Sequence, residues 1–155
     1  MRLGSHGPQV IVFPQEGSSM PTFEISLVCP EALVFVGDAD QVDLPGAEGD
    51  LGVLAGHAPI VTALRPGIVR VIAHGRDEKF VVLGGVAEFS ESRLNVLADS
   101  ASAIDEFDVA ELKAKIEDME RTVPTRAVGD ELDREIELLD HFKTLHRSIT
   151  VTTAL

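Results

Sequence analysis

Hydrophobic residues change their spacing near residue 100, and few folds accommodate such a change. Up to Leu97 the chain runs in short segments rich in Val, Ile and Phe, broken at close intervals by Gly, Pro and Asp. That pattern reads as strand after strand, because β-branched and aromatic residues suit a pleated surface and the punctuating residues suit turns. Gly67 to Ala73 and Lys79 to Leu83 flank His74-Gly75-Arg76-Asp77 as the arms of a hairpin. Val86 to Phe89 and Arg93 to Leu97 flank Ser90-Glu91-Ser92 in the same way. Strands of about five residues cannot each bury two faces, so two packed layers, a β-sandwich or flattened barrel, are the economical arrangement.

Beyond Ala98, Val109, Leu112, Ile116, Met119 and Val123 recur at intervals of three and four, the signature of one helix face. Asp108 stands three residues before Glu111, the spacing of a capping box, and Pro124 stops the helix because it has no N–H to donate. A second helix is expected from Gly129 or Asp130, with an apolar stripe of Leu132, Ile136, Leu139, Phe142, Leu145 and Ile149. Asp130, Glu131 and Asp133 suit the positive end of its dipole, and Lys143 and Arg147 the negative end. Two such helices with a short connection form an antiparallel hairpin, which buries one stripe per helix and needs the sandwich or a partner to be stable. The expected organisation is a sandwich over residues 20–104 and a C-terminal two-helix hairpin over 105–155. Residues 1–19 are expected to be a disordered leader: the apolar patch Val10 to Phe13 is too short for a signal peptide, and Gly4-Ser5-His6 reads as a cloning scar.

The net charge of −13 repels nucleic-acid phosphates and anionic headgroups, and without Trp or Tyr there is little to stack bases on. No apolar run approaches the roughly 18–20 residues that span a bilayer. Cys29 is alone, so it forms no internal disulfide and suggests a reducing compartment. With no basic or histidine neighbour to activate it, it reads as a small buried hydrophobe. Phosphate-binding glycine motifs are missing, and His141 and His146 lie roughly 140° apart around a helix, which spoils a shared metal face. No cofactor and no metal are expected.

The densest cluster of turn residues runs from Pro45 to Pro59, with Gly46, Gly49, Gly52 and Gly56, and carries Glu48, Asp50 and His57. It describes an exposed, tightly turned loop followed by a strand. One chemical reading pairs His57 with Asp50 or Glu48 and with Ser26 or Ser90 as a hydrolase. The plainer reading has solvated carboxylates and a histidine that ties down a turn.

This string, followed by Leu64-Arg65-Pro66-Gly67, Gly84-Gly85-Val86-Ala87-Glu88 and Val96-Leu97-Ala98-Asp99, resembles the epsilon subunits of bacterial rotary ATP synthases. The resemblance runs from about Met20 to near residue 110 and more loosely through the helices. It implies a sandwich of about ten strands followed by two helices, acting as a non-catalytic rotor part of the central stalk. The implied partners are the gamma subunit, the c-ring and, through the hairpin, the alpha/beta catalytic head. The implied location is peripheral, at the cytoplasmic face of the inner membrane. Glu48 and Asp50 fall in the loop that faces the c-ring in this family, and Cys29, His57, Ala58 and Thr62 fall where it faces gamma.

Two family features are altered. Where many relatives carry an [IL]-D-x-x-R-A element that helps to bind ATP, this chain has Phe107-Asp108-Val109-Ala110-Glu111-Leu112, so a carboxylate replaces the arginine that would pair with phosphate. Tight ATP binding is therefore not expected. In inhibitory relatives, basic residues of the second helix meet acidic segments of the catalytic head. Between Asp130 and Ile149 this chain has three basic residues, Arg134, Lys143 and Arg147, against six acidic ones. Like charge disfavours that docking, so inhibition by the hairpin is expected to be weak or absent. A generic β-sandwich adaptor is the alternative role.

Overall fold

The computed structural model describes residues 21–125 and 128–153; the expectation for residues 1–19 lies outside them. Eight strands come first: β1 (Phe23–Cys29), β2 (Ala32–Ala39), β3 (Gln41–Gly46), β4 (Gly49–Leu54), β5 (Ile60–Ala73), β6 (Arg76–Ser90), β7 (Arg93–Ala98) and β8 (Ala101–Ala103). Helices α1 (Val109–Thr122) and α2 (Asp130–Thr153) follow. The strands hydrogen-bond in the order β2-β1-β7-β6-β5-β3-β4, with β8 also on β6, and all pairs are antiparallel except β1 with β7.

The family resemblance implies about ten strands where eight are described, and the difference lies in β5 and β6. These are continuous strands of 14 and 15 residues, paired along their lengths. On its far side β6 changes neighbour part-way: Phe80 to Val82 pair with β8, whereas Gly85 to Ser90 pair with β7. The change occurs at Gly84 and Gly85, whose φ values of 107° and 142° are open to glycine and strained for other residues. Each long strand thus serves both layers of a sheet folded over on itself. Phe35 of β2 meets Phe80 of β6 across the fold, with ring centroids 5.3 Å apart.

Alternation fixes which side chains enter the core. Phe23, Ile25, Leu27 and Cys29 of β1 are buried, as are Leu94, Val96 and Ala98 of β7. In β6 the alternation is interrupted, and Phe80, Val81 and Val82 are buried in succession. Phe80 and Val82 belong to the sandwich core, while Val81 belongs to a second cluster with Leu112, Ile116, Leu139, Phe142, Leu145 and Ile149. The helices therefore lie on the outer face of the β5–β6 layer, where Ile68 and Leu83 join the contact.

The Asp108 side chain caps α1 as its spacing predicts, with the Glu111 N–H donating to Asp108 Oδ1 at 2.9 Å. The helix ends at Thr122, and Val123–Thr125 form a 3-10 turn through Pro124. The α2 stripe is buried only from Leu139 onward, and Ile136 stays exposed. Lys143 pairs with Glu120 at 2.8 Å and Lys115 lies over the Phe142 ring, joining the two helices. A fully buried Leu or Phe stabilises by roughly 1.5–3 kcal/mol. A half-exposed ion pair contributes about 1 kcal/mol or less, so apolar packing on the sandwich decides where the hairpin sits.

Next to the β5–β6 turn, Arg70 donates from Nε and Nη2 to the Asp77 carboxylate, at 2.9 and 2.6 Å to Oδ2. These hydrogen bonds hold the Asp77 carboxyl below its ordinary value, and Asp77 holds the Arg70 guanidinium above its own. A depressed carboxylate pKa stabilises the fold above the unfolded-state value and ceases to do so as pH falls through the folded-state value. Asp77→Asn is therefore expected to destabilise at neutral pH and to become indistinguishable from the parent in strong acid. Exposure limits the neutral-pH loss to below about 1 kcal/mol. Paired urea titrations from neutral into acid pH check this, and a difference that grows as pH falls contradicts it.

Candidate functional site

The cluster from Pro45 to Pro59 folds mainly as a hairpin. The strands β3 and β4 pair from Gln41 with Leu54 to Gly46 with Gly49, and Ala47 and Glu48 form the two-residue turn. The Ala47 N–H donates to the Ala63 carbonyl at 2.8 Å, which fastens the turn to β5. A Cβ at Gly46 would lie 2.6 Å from the Gly49 carbonyl oxygen, so the close approach there requires glycine. Glu48 and Asp50 are exposed beside the turn. Arg65 of β5 reaches across, donating from Nη1 to the Gly46 carbonyl and from Nη2 to Asp50 Oδ1.

The candidate residues do not form one cluster. A groove of about 440 Å³ gathers Glu48, Asp50 and Thr62 with Leu51 and Ile60. The His57 ring packs edge-on to Phe89, with centroids 6.0 Å apart, and its Nδ1 lies 2.6 Å from the Ala58 carbonyl. Phe89 in turn meets Phe23, at the start of β1. Cys29 sits at the other end of that strand, about 20 Å away at roughly 3.3 Å per residue, and is buried with 8% exposure. The structure thus brings Thr62 to Glu48 and Asp50, sets His57 and Ala58 in the loop leading into β5, and encloses Cys29.

The parts of the hydrolase reading are each engaged separately: His57 with the Ala58 carbonyl, Asp50 with Arg65, and Ser26 donating to Asn95 at 2.9 Å. Among the described residues no three of His, Cys, Asp and Glu converge as a metal site, and no helix is long and apolar enough to cross a membrane.

A surface that sequence reasoning missed lies on the other side of β1 and β7 from the core. Directly paired residues on neighbouring strands share a face. Leu33 pairs with Val28, Val28 with Leu97, Leu97 with Val86, and Val86 with Ala63. This row crosses five strands, about 19 Å at roughly 4.8 Å per step. Leu33, Val86 and Leu97 are 38%, 43% and 59% exposed, and Val61 in the adjacent row is 67% exposed. A contiguous apolar row of this extent is a candidate docking surface. Its signal in the sequence is Leu97, which follows Leu94 and Val96 and so breaks their alternation.

Residues 22–104 match the family model described as ATP synthase, Delta/Epsilon chain, beta-sandwich domain. The chain belongs to the ATP synthase delta/epsilon family. It is 56% identical over 135 residues to the ATP synthase epsilon chain 2 of Nitrobacter hamburgensis, covering 87% of this chain and 99% of that one. It is 54% identical over 133 residues to the ATP synthase epsilon chain of Rhodopseudomonas palustris, covering 86% and 98%. Among solved structures, a chain of the Euglena gracilis mitochondrial ATP synthase, OSCP/F1/c-ring in rotational state 1, superposes with a TM-score of 0.69 at 21% identity, covering 93% of this chain and 90% of that one. A chain of the Tetrahymena thermophila mitochondrial ATP synthase central stalk and c-ring gives 0.60 at 13% identity, covering 86% and 99%. At these identities the superpositions show that the fold is shared over most of each chain.

Proposed function

We propose that the chain is a non-catalytic rotor subunit of the ATP synthase central stalk, binding gamma and the c-ring and coupling catalytic rotation to proton movement. The observation that carries this reading is the exposed apolar row on one face of a closely packed sandwich, with a charged turn on a separate hairpin. A stiff body with two separate contact surfaces can transmit torque between two partners, because close-packed interiors pass strain on rather than absorbing it. Gamma docks on the row through Leu33, Val61, Val86 and Leu97, flanked by His57, Ala58 and Thr62, while Cys29 supports the contact from within the core. Glu48 and Asp50 face the c-ring, where charge steers and registers the contact more than it adds affinity. The subunit works peripherally, at the cytoplasmic face of the inner membrane.

Purified gamma is the direct test: stable co-elution with this chain is expected, and separate elution at micromolar concentration overturns the assignment. The hairpin is proposed to stay on the sandwich and to inhibit weakly, and ATP is not held tightly by Asp108 with Glu111 beside it. In an assembled enzyme, removal of residues 105–155 is expected to leave ATPase turnover within about twofold, as the like-charge argument requires. A several-fold rise contradicts it.

A further inference from the structure

We propose that Arg65 is the positioning residue of the β3–β4 turn, and that by neutralising Asp50 it leaves Glu48 as the charge read by a basic group of the ring. This rests on the ring-facing reading of that turn. One guanidinium holds the last residue of β3 through the Gly46 carbonyl and the second residue of β4 through Asp50 Oδ1. Its two N–H groups therefore bracket Ala47 and Glu48 from both strands. The rigid planar fork of arginine fixes the two acceptors relative to each other, which a lysine ammonium on its flexible stem does not. The Arg65 side chain is 24% exposed and that of Asp50 is 81% exposed. An exposed pair adds little to stability, so the consequence of the contact lies in the direction of the turn and in its charge. Asp50 reaches a partner already compensated, whereas Glu48 has no hydrogen-bond or ion-pair partner among the described residues. The two carboxylates stand two residues apart and are unequal in function. The side of the clamp away from the turn opens into a cleft of about 250 Å³ lined by His141, Thr144 and Ser148 of α2, so the clamp lies between the turn and the helical hairpin.

The test uses the full chain and a synthase assembly lacking this subunit. In the free chain, Arg65→Gln is expected to speed amide exchange at Gly49 and Leu51 while leaving Val71 and Val96 unchanged. In docking to the assembly at low salt, Glu48→Gln is expected to weaken binding by roughly fivefold and to flatten its salt dependence, as loss of a steering charge does. Asp50→Asn stays within about twofold of the parent, since its charge is already paired. Arg65→Lys keeps the charge but not the planar fork, so docking keeps the parent's salt dependence while exchange at the turn is as fast as in Arg65→Gln. Equal losses in Asp50→Asn and Glu48→Gln overturn the proposal, as does parental exchange in Arg65→Gln. Fast exchange in Arg65→Gln with no docking response from any turn variant overturns both the role of Glu48 and the ring-facing reading, leaving the clamp as a local structural device.

Discussion

Gly85→Ala is expected to destabilise the chain by about 3 kcal/mol or more, a large fraction of the whole stability of a domain of this size. An added Cβ at residue 85 would stand 2.3 Å from the Leu97 carbonyl oxygen and 2.7 Å from the Ala98 Cα. Both obstacles are backbone, so no rotamer change relieves the contact. The φ of 142° adds strain of its own for any residue with a side chain. Relief requires β7 to move away from β6, which breaks the ladder from Gly85 with Ala98 to Ser90 with Arg93. Gly56 is the matched control: a Cβ there meets nothing within 4 Å and its φ is not in the left-handed region. Urea unfolding of the two variants followed by far-UV circular dichroism separates the cases. A Gly85→Ala midpoint equal to that of Gly56→Ala contradicts the steric account.

Leu97→Asp is expected to abolish co-elution with gamma while moving the unfolding midpoint very little. Leu97, on the central strand of the apolar row, is 59% exposed, so in the free chain the carboxylate remains in water. Such surface changes usually stay within about 0.5 kcal/mol. On docking, the same carboxylate would be buried against apolar atoms without a partner, which costs several kcal/mol, or about a hundredfold or more in affinity. Leu54→Asp supplies the contrast, because Leu54 is equally accessible but lies on the edge strand β4, away from the row. Binding that survives Leu97→Asp and fails with Leu54→Asp would move the gamma contact to the β4 edge of the sheet.

The sequence exposed the architecture because the switch from alternating to three-and-four spacing is a direct consequence of strand and helix geometry. The Asp108 cap and the stop at Pro124 were legible for the same local reasons. The count of strands was not: Pro66-Gly67 and Gly84-Gly85 look like punctuation, yet β5 and β6 stay paired on both sides of Arg65 and Gly84, the one position that the ladder skips. Burial was legible where one face alternates, as in β1, and illegible at Ile136, whose place on the stripe says nothing about whether the sandwich reaches that far. Glu48 and Asp50 stood out by composition. What distinguishes them is Arg65, fifteen residues beyond Asp50, and a contact across that interval leaves no mark in spacing. The apolar row was hidden because its members come from five strands, each contributing one residue that looks ordinary in its own segment.

The burial of Phe80, Val81 and Val82 in succession makes the β5–β6 layer a wall shared by two compartments, with Ile68, Val81 and Leu83 as its far side. Were the helices to swing away, that wall would become a bare oily plate facing water. Such a plate favours contact with another protein or with a second copy of itself. Any raised posture of the helices is therefore a concentration-dependent state, one that dilution should reverse and crowded company should sustain.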